Sequence, residues 1–307
     1  MIRTPTARRA QSWLSPLLVS LLLLAGCSTL TKNTVIVRAS ADARLVTRVK
    51  EGLFLTKVRI GDREAGPFLI DTGAAALVLD SELAKVVPLS LRGEVDYPEG
   101  KRTFKFGTLA SLEVGPLRFQ NTDVVVLDLS APTPLLAERL AGLLGRPFFA
   151  QAVVEVDYPA ASIACFDPKT YRLPRGEWLP LTFQAGRPVV AARLEGNIEG
   201  RFMLDTGSTS TVLLSPAFVR SPALLGTRRV GKRKHTYVGG TYETIVAEIA
   251  WFELAGHRFE KPTVEIAPPE EWESSLEGIA GIIGHGFLRR FTIVLNYPEA
   301  RIAFLPK

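Results

Sequence analysis

The chain reads as a succession of short apolar runs broken by Gly, Pro and Asp, a rhythm that suits strands and not long helices. Val58-Arg59-Ile60, Val124 to Val126, Val153 to Val156 and Thr292 to Leu295 are rich in β-branched residues, which fit a pleated, half-buried surface. Brief helices are predicted at Ser81 to Val86, after Pro147 and after Gly286. No long amphipathic helix and no heptad pattern occurs.

This pattern is written twice. An apolar strand runs into Asp-Thr-Gly at Phe68-Leu69-Ile70-Asp71-Thr72-Gly73 and again, 134 positions later, at Phe202-Met203-Leu204-Asp205-Thr206-Gly207. Gly142-Leu143-Leu144-Gly145 then matches Gly281-Ile282-Ile283-Gly284 at a spacing of 139. The same spacing holds through Asp157-Tyr158-Pro159 against Asn296-Tyr297-Pro298, and on to Ile163-Ala164 against Ile302-Ala303. Two copies in one order mean duplication. A polar stretch from Asp167 to Trp178, with Pro168, Pro174 and Gly176, marks the predicted division. The expected units are a first lobe over 41–170 and a second over 171–307.

One Asp-Thr-Gly would be a polar turn after a strand, since Asp caps turns and Gly accepts positive φ. Two copies at equivalent places in a duplicated chain say more. Through both Asp-Thr-Gly motifs and both apolar-apolar-Gly motifs the sequence resembles the pepsin clan, in particular the bacterial relatives of retroviral proteases. That resemblance covers most of the chain and implies an all-β, bilobal pepsin-like or retropepsin-like aspartic protease fold, with a cleft between two barrel-like lobes. It also implies that Asp71 and Asp205 are the catalytic pair, and that Thr72 and Thr206 lock the two loops together. Gly73 and Gly207 would keep the loops bare where they approach closely. Two neighbouring carboxyls cannot both ionise cheaply, so the pair shares a proton. The ionised member can activate a water and the protonated one can donate to the developing oxyanion. The implied activity is hydrolysis of a peptide or protein, and it requires neither metal nor cofactor. The first motif continues as Ala74-Ala75-Ala76 and the second as Ser208-Thr209-Ser210, so an asymmetric hydrogen-bond shell is expected. Position places hairpins near Asp96 to Gly107 and near Lys232 to Tyr242; Gly239-Gly240 beside Tyr237 suits a mobile lid, and a solvent-exposed hairpin is the alternative.

The first 27 residues read as an export signal: Arg3, Arg8 and Arg9, then an apolar run through Leu24. Leu24-Ala25-Gly26-Cys27 resembles the lipobox of bacterial lipoproteins, in which the cysteine is acylated; an ordinary cleaved signal is the alternative. Ser28 after the cysteine favours the outer membrane over the inner one, on the periplasmic side, with residues 28–40 as a tether. The chain has 37 basic and 31 acidic residues, and cutting after the signal removes three bases and no acids. The remaining excess of three is too mild for a nucleic-acid partner. With Cys27 lipidated, Cys165 is alone and reads as a small core residue.

Other signals carry less. The run Arg228, Arg229, Lys232, Arg233, Lys234 reads as a solvated loop, with acidic substrates or anionic headgroups as the functional alternatives. His235, His257 and His285 show no metal spacing, and no G-x-S-x-G elbow exists. Two rivals stand beside a monomeric endopeptidase with its acid pair within one chain. One is a non-catalytic peptide-binding lipoprotein that keeps the cleft; the other is a homodimer that pairs lobes between chains.

Overall fold

A computed structural model describes residues 43–96, 103–131, 133–220, 224, 226, 228–237 and 240–306. The signal at 1–27, Cys27 and the tether at 28–40 lie outside the described residues. The chain is mostly β and folds as two barrel-like lobes. Among the described residues no helix is long and apolar enough to cross a membrane.

The repeat in the sequence becomes a repeat in strand order. In the first lobe Arg63–Ile70 lies antiparallel to Leu53–Ile60 and parallel to Gly142–Leu144, which in turn pairs with Val78–Asp80. In the second lobe Ile198–Leu204 lies antiparallel to Arg187–Leu194 and parallel to Gly281–Ile283, which pairs with Val212–Leu214. Each lobe thus threads a three-residue apolar strand between the strand that leads into Asp-Thr-Gly and the strand that leaves it. Gly142–Leu144 is buried throughout and Gly281–Ile283 is buried apart from the half-buried Ile282, as suits short apolar runs.

Each threaded strand ends in a one-turn helix, Arg146–Phe149 or His285–Leu288, that plants aromatic side chains in the core. Phe148, Phe149 and Phe287 are fully buried, each side chain contributing about 1.5–3 kcal/mol of burial. That anchorage holds Gly145 and Gly284 against the Asp-Thr-Gly loops. A Cβ on Gly145 would stand 2.5 Å from Ala74 O, and one on Gly284 would stand 2.8 Å from Ser208 O. Glycine is required there by space.

A six-stranded sheet joins the halves. Val153–Asp157 pairs antiparallel with Phe291–Asn296, flanked by Ser162–Phe166 and Arg301–Pro306, with Ala43–Leu45 and Leu179–Pro180 at the edges. The main core runs through this sheet from one lobe to the other. The polar stretch 167–178 holds no strand and lies between Ser162–Phe166 and Leu179–Pro180. The two expected hairpins form, as Leu89–Asp96 with Thr103–Val114 and as Val230–Tyr237 with Gly240–Glu248. Their tips, 97–102 and 238–239, lie outside the described residues.

Candidate active site

Asp71 and Asp205 leave their strands at matching points. Asp71 N donates to Leu144 O at 3.0 Å and Asp205 N donates to Ile283 O at 2.9 Å, so the threaded strand of each lobe holds its own acid. The helix turns repeat the match: Arg146 N donates to Ala74 O at 2.9 Å, and His285 N to Ser208 O at 2.8 Å.

The threonines then tie the loops to each other. Thr72 N donates to Thr206 Oγ1 at 3.0 Å, and Thr206 N donates to Thr72 Oγ1 at 3.0 Å. Thr72 Oγ1 donates to Leu204 O and Thr206 Oγ1 to Ile70 O, both at 2.8 Å. All four bonds cross between the halves, and both threonines are buried. Each hydroxyl uses its donor and an acceptor at once, which leaves no backbone group of the joint unpaired by it.

The carboxylates meet above this joint. Gly73 N donates to Asp71 Oδ1 at 2.8 Å and Gly207 N to Asp205 Oδ1 at 2.7 Å. The two side chains hydrogen-bond each other. A Cβ on Gly73 would lie 2.6 Å from Asp205 Cγ, and one on Gly207 would lie 2.8 Å from Asp71 Cγ, so each glycine makes room for the opposite acid. Both acids come from one chain and remain partly open to solvent.

Burial raises the pair above the ordinary carboxylate range, and on Asp71 the charge of Asp205 adds to it. The glycine amides and the nearby Arg187 guanidinium work the other way. The titration belongs to the pair as a unit. Such a site can hold one proton and one negative charge side by side, which is what general acid and general base need.

Tyr158 and Tyr297 stand at equivalent places, directly after Val153–Asp157 and Phe291–Asn296. Their hydroxyls are buried without a hydrogen-bond partner, and burial pushes both phenols far above their usual range. Tyr158 packs against Phe54 and His285, and Tyr297 against Phe149 and Phe183. Each ring therefore plugs the seam between one lobe and the other. Cys165 is buried in the central sheet, its thiol pushed up to about 12, and packs as a core residue. No group of three or more His, Cys, Asp or Glu able to hold a metal occurs among the described residues.

The expected hydrogen-bond asymmetry after the motifs takes a local form. Ser208 Oγ accepts from Ser210 N at 3.4 Å, while Ala74 has no hydroxyl to offer. A larger asymmetry escaped the sequence reading. Arg187 Nε donates to Gly73 O at 2.8 Å, so a residue of the second half touches the first Asp-Thr-Gly loop. The signal that could have found it is the repeat spacing, which puts Leu53 in the first half where Arg187 stands in the second.

Two duplicated β lobes that present a hydrogen-bonded pair of carboxyls at their joint define a two-acid fold of the protease type. In agreement, a family model described as Aspartyl protease matches residues 56–148 and again residues 190–287, together more than half of the chain. The chain belongs to the aspartyl protease family. Membership supports protease activity in general terms, and with it a peptide substrate. No curated protein matches the chain.

Proposed function

We propose that the protein is an aspartic endopeptidase in which Asp71 and Asp205 activate a water against a peptide bond. The observation that carries the reading is the mutual hydrogen bond of the two acids over a joint closed by Thr72 and Thr206. The ionised carboxylate removes a proton from water as its oxygen attacks the carbonyl carbon. The protonated carboxyl gives its proton to the carbonyl oxygen, which produces a neutral tetrahedral diol. Collapse of the diol returns a hydroxyl proton to a carboxylate, the C–N bond breaks, and the leaving nitrogen takes up a proton. Burial keeps the shared proton in place at mildly acidic pH, and the glycine amides hold each carboxylate in its orientation.

In the same reading the units 41–170 and 171–307 are the two lobes, and the protein acts as a monomer. It is held by a lipid on Cys27 at the periplasmic side of a bacterial envelope, with the outer membrane favoured. The Leu24-Ala25-Gly26-Cys27 motif after an apolar run supports the anchor. Labelling of cells with a fatty acid should mark the wild-type protein and not Cys27→Ser.

The decisive experiment incubates the full-length chain, in mild detergent, with a mixed peptide library. Cleavage should appear at acidic pH, stop with a statine-type inhibitor, and fall by about 10³-fold or more in Asp205→Asn. Cleavage that survives Asp205→Asn refutes the two-acid mechanism. Peptide binding without any cleavage by the wild type would favour the non-catalytic alternative.

A further inference from the structure

We propose that Arg187 is a positioning residue of the acid pair, tying the first catalytic loop to the 267–280 loop and setting a positive charge against both carboxyls. The proposal rests on the two-acid reading of the site and adds to it a one-sided control that the duplication does not contain.

The geometry is a bridge between halves. Arg187 opens the strand Arg187–Leu194, directly after the turn from Thr182–Gln184. Its side chain is only 17% exposed. Nε donates to Gly73 O at 2.8 Å, while Nη1 donates to Glu273 Oε2 at 2.8 Å and to Ser275 Oγ at 3.1 Å. From the same hairpin, Gln184 Nε2 donates to Ser275 O at 3.1 Å and to Glu277 O at 2.8 Å. Two polar side chains of one turn thus hold the segment 273–277, whose Leu276 packs with Val189, Met203 and Ile279. From the first lobe, Arg146 Nη1 donates to Gly186 O at 3.3 Å and steadies that turn.

The first half has no charge at the matching position. Leu53, at the equivalent position, is buried in an apolar cluster with Leu129, Leu136 and Leu140. The electrostatic consequence is one-sided. Arg187 favours the ionised form of both Asp71 and Asp205, and Glu273 opposes it at Asp205. The other groups facing the pair are the phenols Tyr158 and Tyr297, with Arg146 acting on Tyr297 and the His285 ring against Tyr158. None of these places a second cation in contact with a catalytic loop carbonyl.

The test uses full-length wild type, Arg187→Met, Arg187→Lys and Glu273→Gln. The aspartates carry ¹³C in the carboxyl group, and NMR follows the titration of the pair without substrate. Arg187→Met should move the titration up by about one pH unit, and Glu273→Gln should move it down. Arg187→Lys should keep the titration close to wild type while lowering kcat/KM, because the charge stays and the forked bridge is lost. Opposite shifts in the two neutralising variants support the proposal, since simple loosening of the loop would move both the same way. Shifts of one sign, or none, overturn it. If Arg187→Met fails to fold, Glu273→Gln alone decides by the direction of its shift. A wild type that titrates as expected but never cleaves peptides would sink the hydrolase reading and leave the Arg187 result standing.

Discussion

Replacing Thr206 with Val keeps the shape and a methyl group and removes only the hydroxyl. That hydroxyl donates to Ile70 O at 2.8 Å and accepts from Thr72 N at 3.0 Å, at a residue only 2% exposed. Its loss leaves one buried carbonyl and one buried amide without partners, at about 1–3 kcal/mol each. The expected destabilisation is therefore about 4 kcal/mol, or a fall in Tm of roughly 8–16 °C for a domain of this size. Thr72→Val should match it, because Thr72 Oγ1 makes the mirror-image pair of bonds. The double variant should lose less than the sum, since both hydroxyls serve one joint that the first change already loosens. Urea unfolding followed by Trp fluorescence measures all three, with Thr206→Ser as the control that keeps the hydroxyl. Peptide hydrolysis should fall by about 100-fold, the scale of a ~1 Å misplacement of a reacting group. A Val variant within about 0.5 kcal/mol of wild type, or a Ser variant as weak as Val, would refute the joint as described.

Three further predictions concern charge. Because burial raises the acid pair, the folded protein keeps a proton that the unfolded chain releases, so stability drains away as pH climbs from the ordinary 3.8 through the raised pKa. Asp205→Asn should accordingly raise Tm at pH 7, with the gain shrinking toward pH 4; calorimetry showing a gain that grows on acidification contradicts this. Asp80 is buried and accepts from Leu129 N at 2.9 Å, from Glu82 N at 3.0 Å, and from Arg139 at 3.0 and 2.9 Å. Arg139→Met should cost about 3–5 kcal/mol in denaturant titrations, because it strands the buried Asp80 carboxylate without its cation, whereas Asp80→Ala leaves an Arg139 whose charge can reach water. Glu265 lies 1% exposed under the second hairpin: burial pushes its pKa up, but His235, Thr244 and Arg233 outweigh burial and hold it below 4.5. Its stabilisation is complete above pH 4.5 and disappears as pH falls through the lowered value. Hydrogen exchange in Val230–Tyr237 should accelerate below pH 4.5 in wild type, and Glu265→Gln should flatten that dependence.

The strongest parts of the site were legible because they are repeated. Asp71, Thr72 and Gly73 have exact counterparts in Asp205, Thr206 and Gly207, and the threaded strands follow at a fixed spacing. Duplication marks positions whose backbone conformation matters, so it also marked Gly145 and Gly284 before their contacts were known. Local stops were less legible. The helix predicted through Val86 ends at Ala84, where Lys85 N turns back to Glu82 O and Pro88 follows. Tyr158 and Tyr297 could be seen only as matched spacing, since nothing in Asp157-Tyr158-Pro159 tells that its ring enters the seam between lobes. Arg187 left only an indirect mark, a charge where the repeat has Leu53. Its partner Gly73 lies 114 positions away and uses a backbone carbonyl, which leaves no mark on composition or motif.

The symmetry of the backbone has a limit that bears on mechanism. Around the two acids the paired bonds agree within 0.1 Å: 3.0 and 3.0 Å, 2.8 and 2.8 Å across the threonines, 2.8 and 2.7 Å at the glycines. A frame this even gives neither carboxyl a reason to keep the proton. Any preference must come from side chains on which the halves differ, and they differ at Arg187 against Leu53 and at Ser208 against Ala74. Two identical subunits could not make those differences, because each change would appear on both sides. Fusion of the copies into one chain permits them, and Arg187 with Glu273 supplies a charged couple on one side of the pair alone. The joint is thus inherited from the repeat, while its electrostatic bias arises where the repeat has been broken.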